Sequence, residues 1–208
     1  MANSTSSPSV EIRNPVGISA APIVDQKTPH HLAQRTEVTV DELEKLSLPH
    51  PAELYNGKVV PKMPNFAHAV IQNNIGKKIG IYLDTNPIGL VGGDANYRLW
   101  PERNTESRAP DVSFIRKDRL PEDLYHYPSL APDLAVEILS PDDSFERMME
   151  KVDEYLSQGV KLVWIVICRT REVLVCTAQS KHIVNDKLAA PDLLPDFVLP
   201  ISEIFAGL

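Results

Sequence analysis

Apolar residues fall into blocks along the chain, and changes in their spacing mark out the elements. Thr39, with Glu42 three residues on, forms a capping-box pattern and predicts a short helix through Leu46 that stops before Pro49. Asn56-Gly57 between two extended pieces, Ala52–Tyr55 and Lys58–Val60, predicts a hairpin. Ile71, Ile75 and Ile79 are spaced by four, with Val70, Tyr82 and Leu83 beside them, which predicts a long helix over Phe66–Asp84. His68 precedes that stripe by three residues and could face a site, but at the helix start it reads rather as a surface or capping residue. Asn86-Pro87-Ile88-Gly89 ends the helix.

Beyond it the pattern turns to strands. Leu90–Asp94 and Ala95–Trp100 read as extended, Pro101–Arg108 as a polar loop, and Ala109–Ile115 as an apolar strand. A long irregular connection from Lys117 leads to Pro132 and then to Leu134–Leu139, a buried strand closed by Ser140-Pro141. Phe145, Met148, Met149, Val152, Tyr155 and Leu156 recur at helical spacing, so a helix is expected over residues 143–158, with Gly159 as its stop. Leu162–Cys168 reads as a fully buried strand and Glu172–Thr177 as its hairpin partner. A short strand near His182–Val184 and a C-terminal segment with Ile201, Ile204 and Phe205 complete the chain. This order implies an α/β (α+β) fold, one central mixed β-sheet flanked by helices.

Residues 1–35 are rich in Ser, Pro, Thr and Asn, lack apolar periodicity, and read as a disordered or loosely ordered tail. His30 and His31 lie there, and an exposed adjacent pair is a poor metal site. Residues 36–208 read as a single domain, long enough for one substantial core. No apolar run is long enough to span a bilayer, and the first residues lack the order of a secretory signal, so a cytoplasmic protein with no membrane contact is expected. Cys168 and Cys176 fit that setting and read as buried small hydrophobes rather than a redox pair. The net charge of -7 argues against a broad non-specific grip on nucleic acid, although an acidic metal site contributes several of those charges.

Two acids stand out against this pattern. Asp111 and Glu137 each interrupt an apolar strand, where a carboxylate is costly unless it is paired or holds a cation. If the strands are neighbours the carboxylates meet, and a hard divalent ion with oxygen ligands would relieve their repulsion. Lys151, on the following helix, could neutralise the site or orient a water. Metal, two acids and a lysine suit phosphodiester hydrolysis. Structural ion pairs with Arg98, Arg108 or Arg116 are the alternative.

Several motifs stand in order: Glu53-Leu54-Tyr55-Asn56-Gly57-Lys58, Ala109-Pro110-Asp111-Val112-Ser113-Phe114, Pro132 through Pro141, Glu150-Lys151-Val152-Asp153-Glu154-Tyr155, Gly159-Val160 and Trp164-Ile165-Val166. Together they closely resemble the Uma-type family of restriction endonucleases, within the PD-(D/E)XK nuclease superfamily. The similarity runs from about Val40 to Thr177. It implies a restriction-endonuclease-like core and assigns Asp111 and Glu137 to the two metal-binding acids. The superfamily lysine usually follows the second acid by two positions, where this chain has Leu139; Lys151 matches the helical lysine of the Uma-type pattern. Glu53 matches an additional acid of the first motif. Arg147 and Cys168 stand where the family often has acids, outside the metal ligands.

The resemblance therefore implies catalytic roles for Glu53, Asp111, Glu137 and Lys151. It also implies Mg²⁺ (or Mn²⁺ in its place) on Asp111, Glu137 and the Ile138 carbonyl, with DNA as substrate. By analogy, cutting both strands implies a homodimer. Two other readings compete. One is a catalytically silent nuclease fold serving as an interaction or regulatory module, favoured by the net acidity. The other, weaker, is a metal-dependent hydrolase of a small phosphate ester.

Overall fold

A computed structural model describes residues 35–141 and 143–208. The tail expected over 1–35, with His30 and His31, thus lies outside the described residues apart from Arg35.

The chain opens with helix α1 (Val40–Lys45), whose Thr39 N-cap and Glu42 complete the expected capping box. Strands β1 (Ala52–Tyr55) and β2 (Lys58–Pro61) form the expected antiparallel hairpin. Asn56 and Gly57 both take positive φ, 48° and 74°, as a two-residue turn of the primed type requires. A Cβ at Gly57 would stand 2.8 Å from the Thr36 carbonyl oxygen, so glycine is needed for space as well as for conformation. Val38, Val40, Leu43, Ala52, Leu54 and Val59 bury one another beneath this N-terminal layer.

Helix α2 (Phe66–Thr85) is capped by the Asn65 side chain, which accepts from the His68 N–H. Its buried face is His68, Ile71, Ile75 and Ile79. Each buried isoleucine stabilises the fold by about 2 kcal/mol through desolvation alone.

The six-stranded sheet runs in the order β3 (Gly89–Gly93), β4 (Val112–Arg116), β5 (Leu134–Leu139), β6 (Leu162–Ile167), β7 (Glu172–Cys176), β8 (Lys181–Val184). Only β5 and β6 pair in parallel, joined by helix α3 (Phe145–Ser157); the other neighbours are antiparallel. Strand alternation sorts the core into two layers. Leu134, Val136 and Ile138 face the α2 side with Ile71, Ile75 and Ile79. Ala135 and Leu139 face the α3 side with Val152 and Tyr155, and Glu137 shares their parity.

Two stretches differ from the sequence expectation. Ala95–Trp100 is not a strand; it makes one isolated bridge, Tyr97 to Arg108, and Tyr97 instead spends its hydroxyl on Ser113 at 2.7 Å. The C-terminal stretch holds an additional hairpin, β9 (Lys187–Ala190) and β10 (Leu194–Pro200), before the short helix α4 (Ile201–Ile204). Its register shifts between Leu194 and Val198, which breaks the period-two signal that would have announced it. Cys176 is buried as expected, while Cys168, just past β6, is only partly so; neither is in a disulfide.

Candidate active site

The two acidic strands are neighbours. Strand β4 pairs with β5 only from Val112 to Phe114, so Asp111 stands at the end of that ladder, beside the unpaired part of β5. There the Asp111 side chain replaces the missing strand: its Oδ2 accepts the Ile138 N–H at 2.7 Å. A strand residue sends its N–H and C=O to the same edge, so the Ile138 carbonyl also faces the Asp111 side.

Helix α3 delivers the lysine. Lys151 and Tyr155 lie four residues apart and share the face over Glu137. The Lys151 ammonium sits 2.8 Å from Glu137 Oε1 and 2.7 Å from Glu53 Oε1. The Tyr155 hydroxyl donates to Glu137 Oε1 at 2.6 Å. Glu53, on β1, also accepts from the Ala109 N–H at 2.7 Å and from Tyr55 Oη at 3.0 Å, which ties the hairpin to the strand leading into Asp111. The structure thus brings Glu53, Asp111, Glu137 and Lys151 into one cluster. Leu139 packs instead in the α3-side core, and the ammonium beside Glu137 comes from the helix.

None of the three candidate arginines pairs with Asp111 or Glu137. Arg98 meets Asp41 and Glu44, and Arg116 meets Asp118. Arg108 is buried and grips Glu154 of α3 with two bonds, at 2.7 and 2.9 Å, while its guanidinium stacks 3.6 Å from the Tyr55 ring. Arg108 therefore clamps α3 to the β1 hairpin one turn beyond Lys151.

Three neighbours lie outside the residues assigned to the site from the sequence. Lys62, just past β2, places its ammonium 2.5 Å from Asp111 Oδ1 and 2.8 Å from Asp94 Oδ1. Gln72 of α2 donates to Asp94 Oδ2 at 2.6 Å and to the Asp111 carbonyl at 2.8 Å. His68 is buried rather than on the surface, with Nε2 3.1 Å from Asp111 Oδ2 and Nδ1 buried without a protein partner. The sequence holds signals for His68 and Lys62. His68 continues the isoleucine stripe backwards at helical spacing. The Asn-Gly turn fixes a register with Glu53 opposite Val60, so Lys62, two residues on, shares the face of Glu53.

The charges are strongly unequal. Burial raises the Glu137 carboxyl to about 7: Lys151 opposes the shift, while the charges of Asp111 and Glu53 add to it. Asp111 is buried too, yet His68 and Lys62 hold it well below the usual carboxylate range. Burial also penalises the Glu53 charge, but Lys151 keeps that carboxyl low. Burial opposes the Lys151 charge, and Glu137 and Glu53 overcome it, so the ammonium is retained. Tyr155 stays protonated, pushed up by burial and by Glu137. Four carboxylates (Glu53, Asp94, Asp111 and Glu137) thus face two ammoniums and the His68 imidazole, so negative charge is in excess when all four are ionised.

A divalent cation would offset that excess, and it would favour the ionised form of Glu137, which burial disfavours. Among the described residues no three His, Cys, Asp or Glu side chains converge to cage an ion. The donors available are two carboxylates and a backbone carbonyl, a partial set that suits a hard ion retaining several waters.

The chain is a mixed sheet with helices on both faces and buried acids at the head of β4 and within β5, and solved structures share this fold. The crystal structure of a "putative nuclease belonging to DUF820" from Anabaena variabilis superposes with a TM-score of 0.67 at 23% identity, over 81% of this chain and 98% of that one. The Uma2 family model, described as "Putative restriction endonuclease", matches residues 40–202, and the chain belongs to that family. No curated protein matches it significantly. Among the described residues no helix is long and apolar enough to cross a membrane.

Proposed function

We propose that the protein is a metal-dependent DNA endonuclease that hydrolyses phosphodiester bonds at the cluster of Glu53, Asp111, Glu137 and Lys151. One observation carries this reading: acids from β1 and β5 meet a helical lysine in a buried network, and Asp111, at the head of β4, joins it by accepting the N–H of Ile138, the residue after Glu137. Membership of a restriction endonuclease family supports DNA as the substrate.

Asp111, Glu137 and the Ile138 carbonyl would hold Mg²⁺, with Mn²⁺ as a substitute. Bound there, the ion would polarise a scissile phosphate and acidify a water. Lys151, kept charged by its two carboxylates, positions a water or steadies the negative charge that develops on phosphate oxygen. Glu53 fixes the Lys151 ammonium and, through the Ala109 N–H, the approach to Asp111. Tyr155 holds the Glu137 carboxylate in place. One such site cuts one strand, and by analogy a homodimer would pair two sites to cut both strands.

The test is incubation of supercoiled plasmid with Mn²⁺, wild type beside Glu137→Ala, together with calorimetric Mg²⁺ titration of wild type and Asp111→Ala. The expected result is nicked or linear DNA with wild type alone and loss of ion binding in Asp111→Ala. Cleavage that persists in Glu137→Ala, or unchanged binding in Asp111→Ala, overturns the assignment. The seating of Lys62 on Asp111 favours a second reading, a silent nuclease fold used as an interaction module. Absence of both cleavage and ion binding in wild type would select it.

A further inference from the structure

Lys62 has no part in the roles assigned above, yet its surroundings are built. Its side chain is only 14% exposed. Its three ammonium hydrogens have three acceptors in reach: Asp111 Oδ1 at 2.5 Å, Asp94 Oδ1 at 2.8 Å and the Ala109 carbonyl at 2.8 Å. Asp94 is itself anchored: Gln72 holds its Oδ2 at 2.6 Å, and its N–H reaches the Asp111 carbonyl at 3.3 Å.

We propose that Lys62 is the resident counter-cation of Asp111, and that a divalent ion takes Asp111 as the ammonium withdraws onto Asp94 and the Ala109 carbonyl. This inference rests on the metal-dependent reading above. An ammonium 2.5 Å from Asp111 Oδ1 and a divalent ion bound at about 2.0–2.6 Å to the same carboxylate crowd one another, and their like charges repel. A lysine stem flexes easily, and two of the three acceptors remain when Asp111 is released. Asp94 is then a positioning residue: it acts on the ion through Lys62. The device keeps the Asp111 charge satisfied when no ion is bound. After withdrawal it leaves one ammonium hydrogen facing the site, where a substrate phosphate can accept it.

The experiment is calorimetric titration of Mg²⁺ into the metal-free full-length chain. Wild type, Lys62→Met, Asp94→Asn and the double variant are compared, with Asp111→Ala as control. Removing the competing charge in Lys62→Met is expected to tighten Mg²⁺ binding roughly tenfold or more. Asp94→Asn is expected to weaken binding where Lys62 is present and to matter much less in the Lys62→Met background. Lys62→Gln, which keeps hydrogen-bonding capacity, carries the same test if Lys62→Met folds poorly. The thermal midpoint of the Lys62 variants should also rise more on adding Mg²⁺ than that of wild type. Unchanged or weaker affinity without Lys62, beside normal wild-type binding, overturns this inference and leaves the metal-dependent reading standing. Equal weakening by Asp94→Asn in both backgrounds overturns the part given to Asp94. No binding by wild type or by either Lys62 variant overturns both readings.

Discussion

The Lys151 ammonium lies 2.8 Å from Glu137 Oε1, although the lysine comes from helix α3 and the acid from the middle of β5. The pair is nearly dry, so each partner makes the other's charge tolerable. Lys151→Met would leave Glu53 and Glu137 buried without a cation and should cost about 3–5 kcal/mol in stability. Protonation of Glu137 would recover part of that. Combining Lys151→Met with Glu137→Gln should recover more, without restoring cleavage. Urea unfolding of the two variants beside plasmid assays checks both halves. A double variant no more stable than Lys151→Met would contradict the pairing argument.

How much of this was legible beforehand follows from which residues act locally. The capping box at Thr39, the Asn56-Gly57 turn, the α2 stripe and the buried β5 run are local patterns, and each formed as read. Asp111 and Glu137 were visible because an acid inside an apolar run conflicts with its surroundings. Lys62, Asp94 and Gln72 carried no such conflict, since Lys62 and Asp94 stand just past the ends of β2 and β3 and Gln72 lies on an amphipathic helix, where polar residues are ordinary. Their convergence depends on three elements that only the folded topology brings together. His68 is a different case: its helix-start position suits a surface or capping residue, while its place on the buried stripe points it at the site. The β9–β10 hairpin escaped notice because a register shift interrupts its alternation.

Glu137 should impose a pH dependence on the metal-free protein. Its folded-state pKa, about 7, lies above the ordinary 4.5. For a group raised in this way, the stability contribution is fully present below the ordinary value and is lost as pH rises through about 7. Glu137→Gln, permanently neutral, should therefore gain stability relative to wild type between about pH 5 and pH 8. Chemical denaturation at the two pH values measures this. Mg²⁺ should stabilise wild type more at the higher pH, because the ion binds ionised Glu137. A variant-to-wild-type difference that is flat with pH would contradict the raised pKa.

Arg108 touches none of the four proposed catalytic side chains, but it sets the position of α3. Arg108→Lys keeps the charge and loses the two-pronged grip on Glu154 and the flat stacking on Tyr55. A loss of about 2–4 kcal/mol in stability is expected, since the partners are largely buried. Cleavage should fall as well, because Lys151 rides on the same helix turn. If cleavage per folded molecule is unchanged, α3 is held by packing alone and the clamp is dispensable.

Tyr155→Phe separates positioning from packing at the same site. The ring is fully buried against the α3-side core, so phenylalanine keeps the apolar contacts and deletes only the hydroxyl. That hydroxyl donates to the oxygen of Glu137 that also meets Lys151. Its loss should cost about 1.5–3 kcal/mol at a pH where Glu137 is ionised, and less where it is protonated. It should also raise the Glu137 pKa beyond about 7, because the charged form loses a donor and the neutral form loses less. The pH at which Mg²⁺ binding reaches half its maximum should then move upward in the variant, a shift that calorimetry at several pH values resolves. A lower stability with no such upward movement would mean that Tyr155 fills space beside Glu137 without governing its charge.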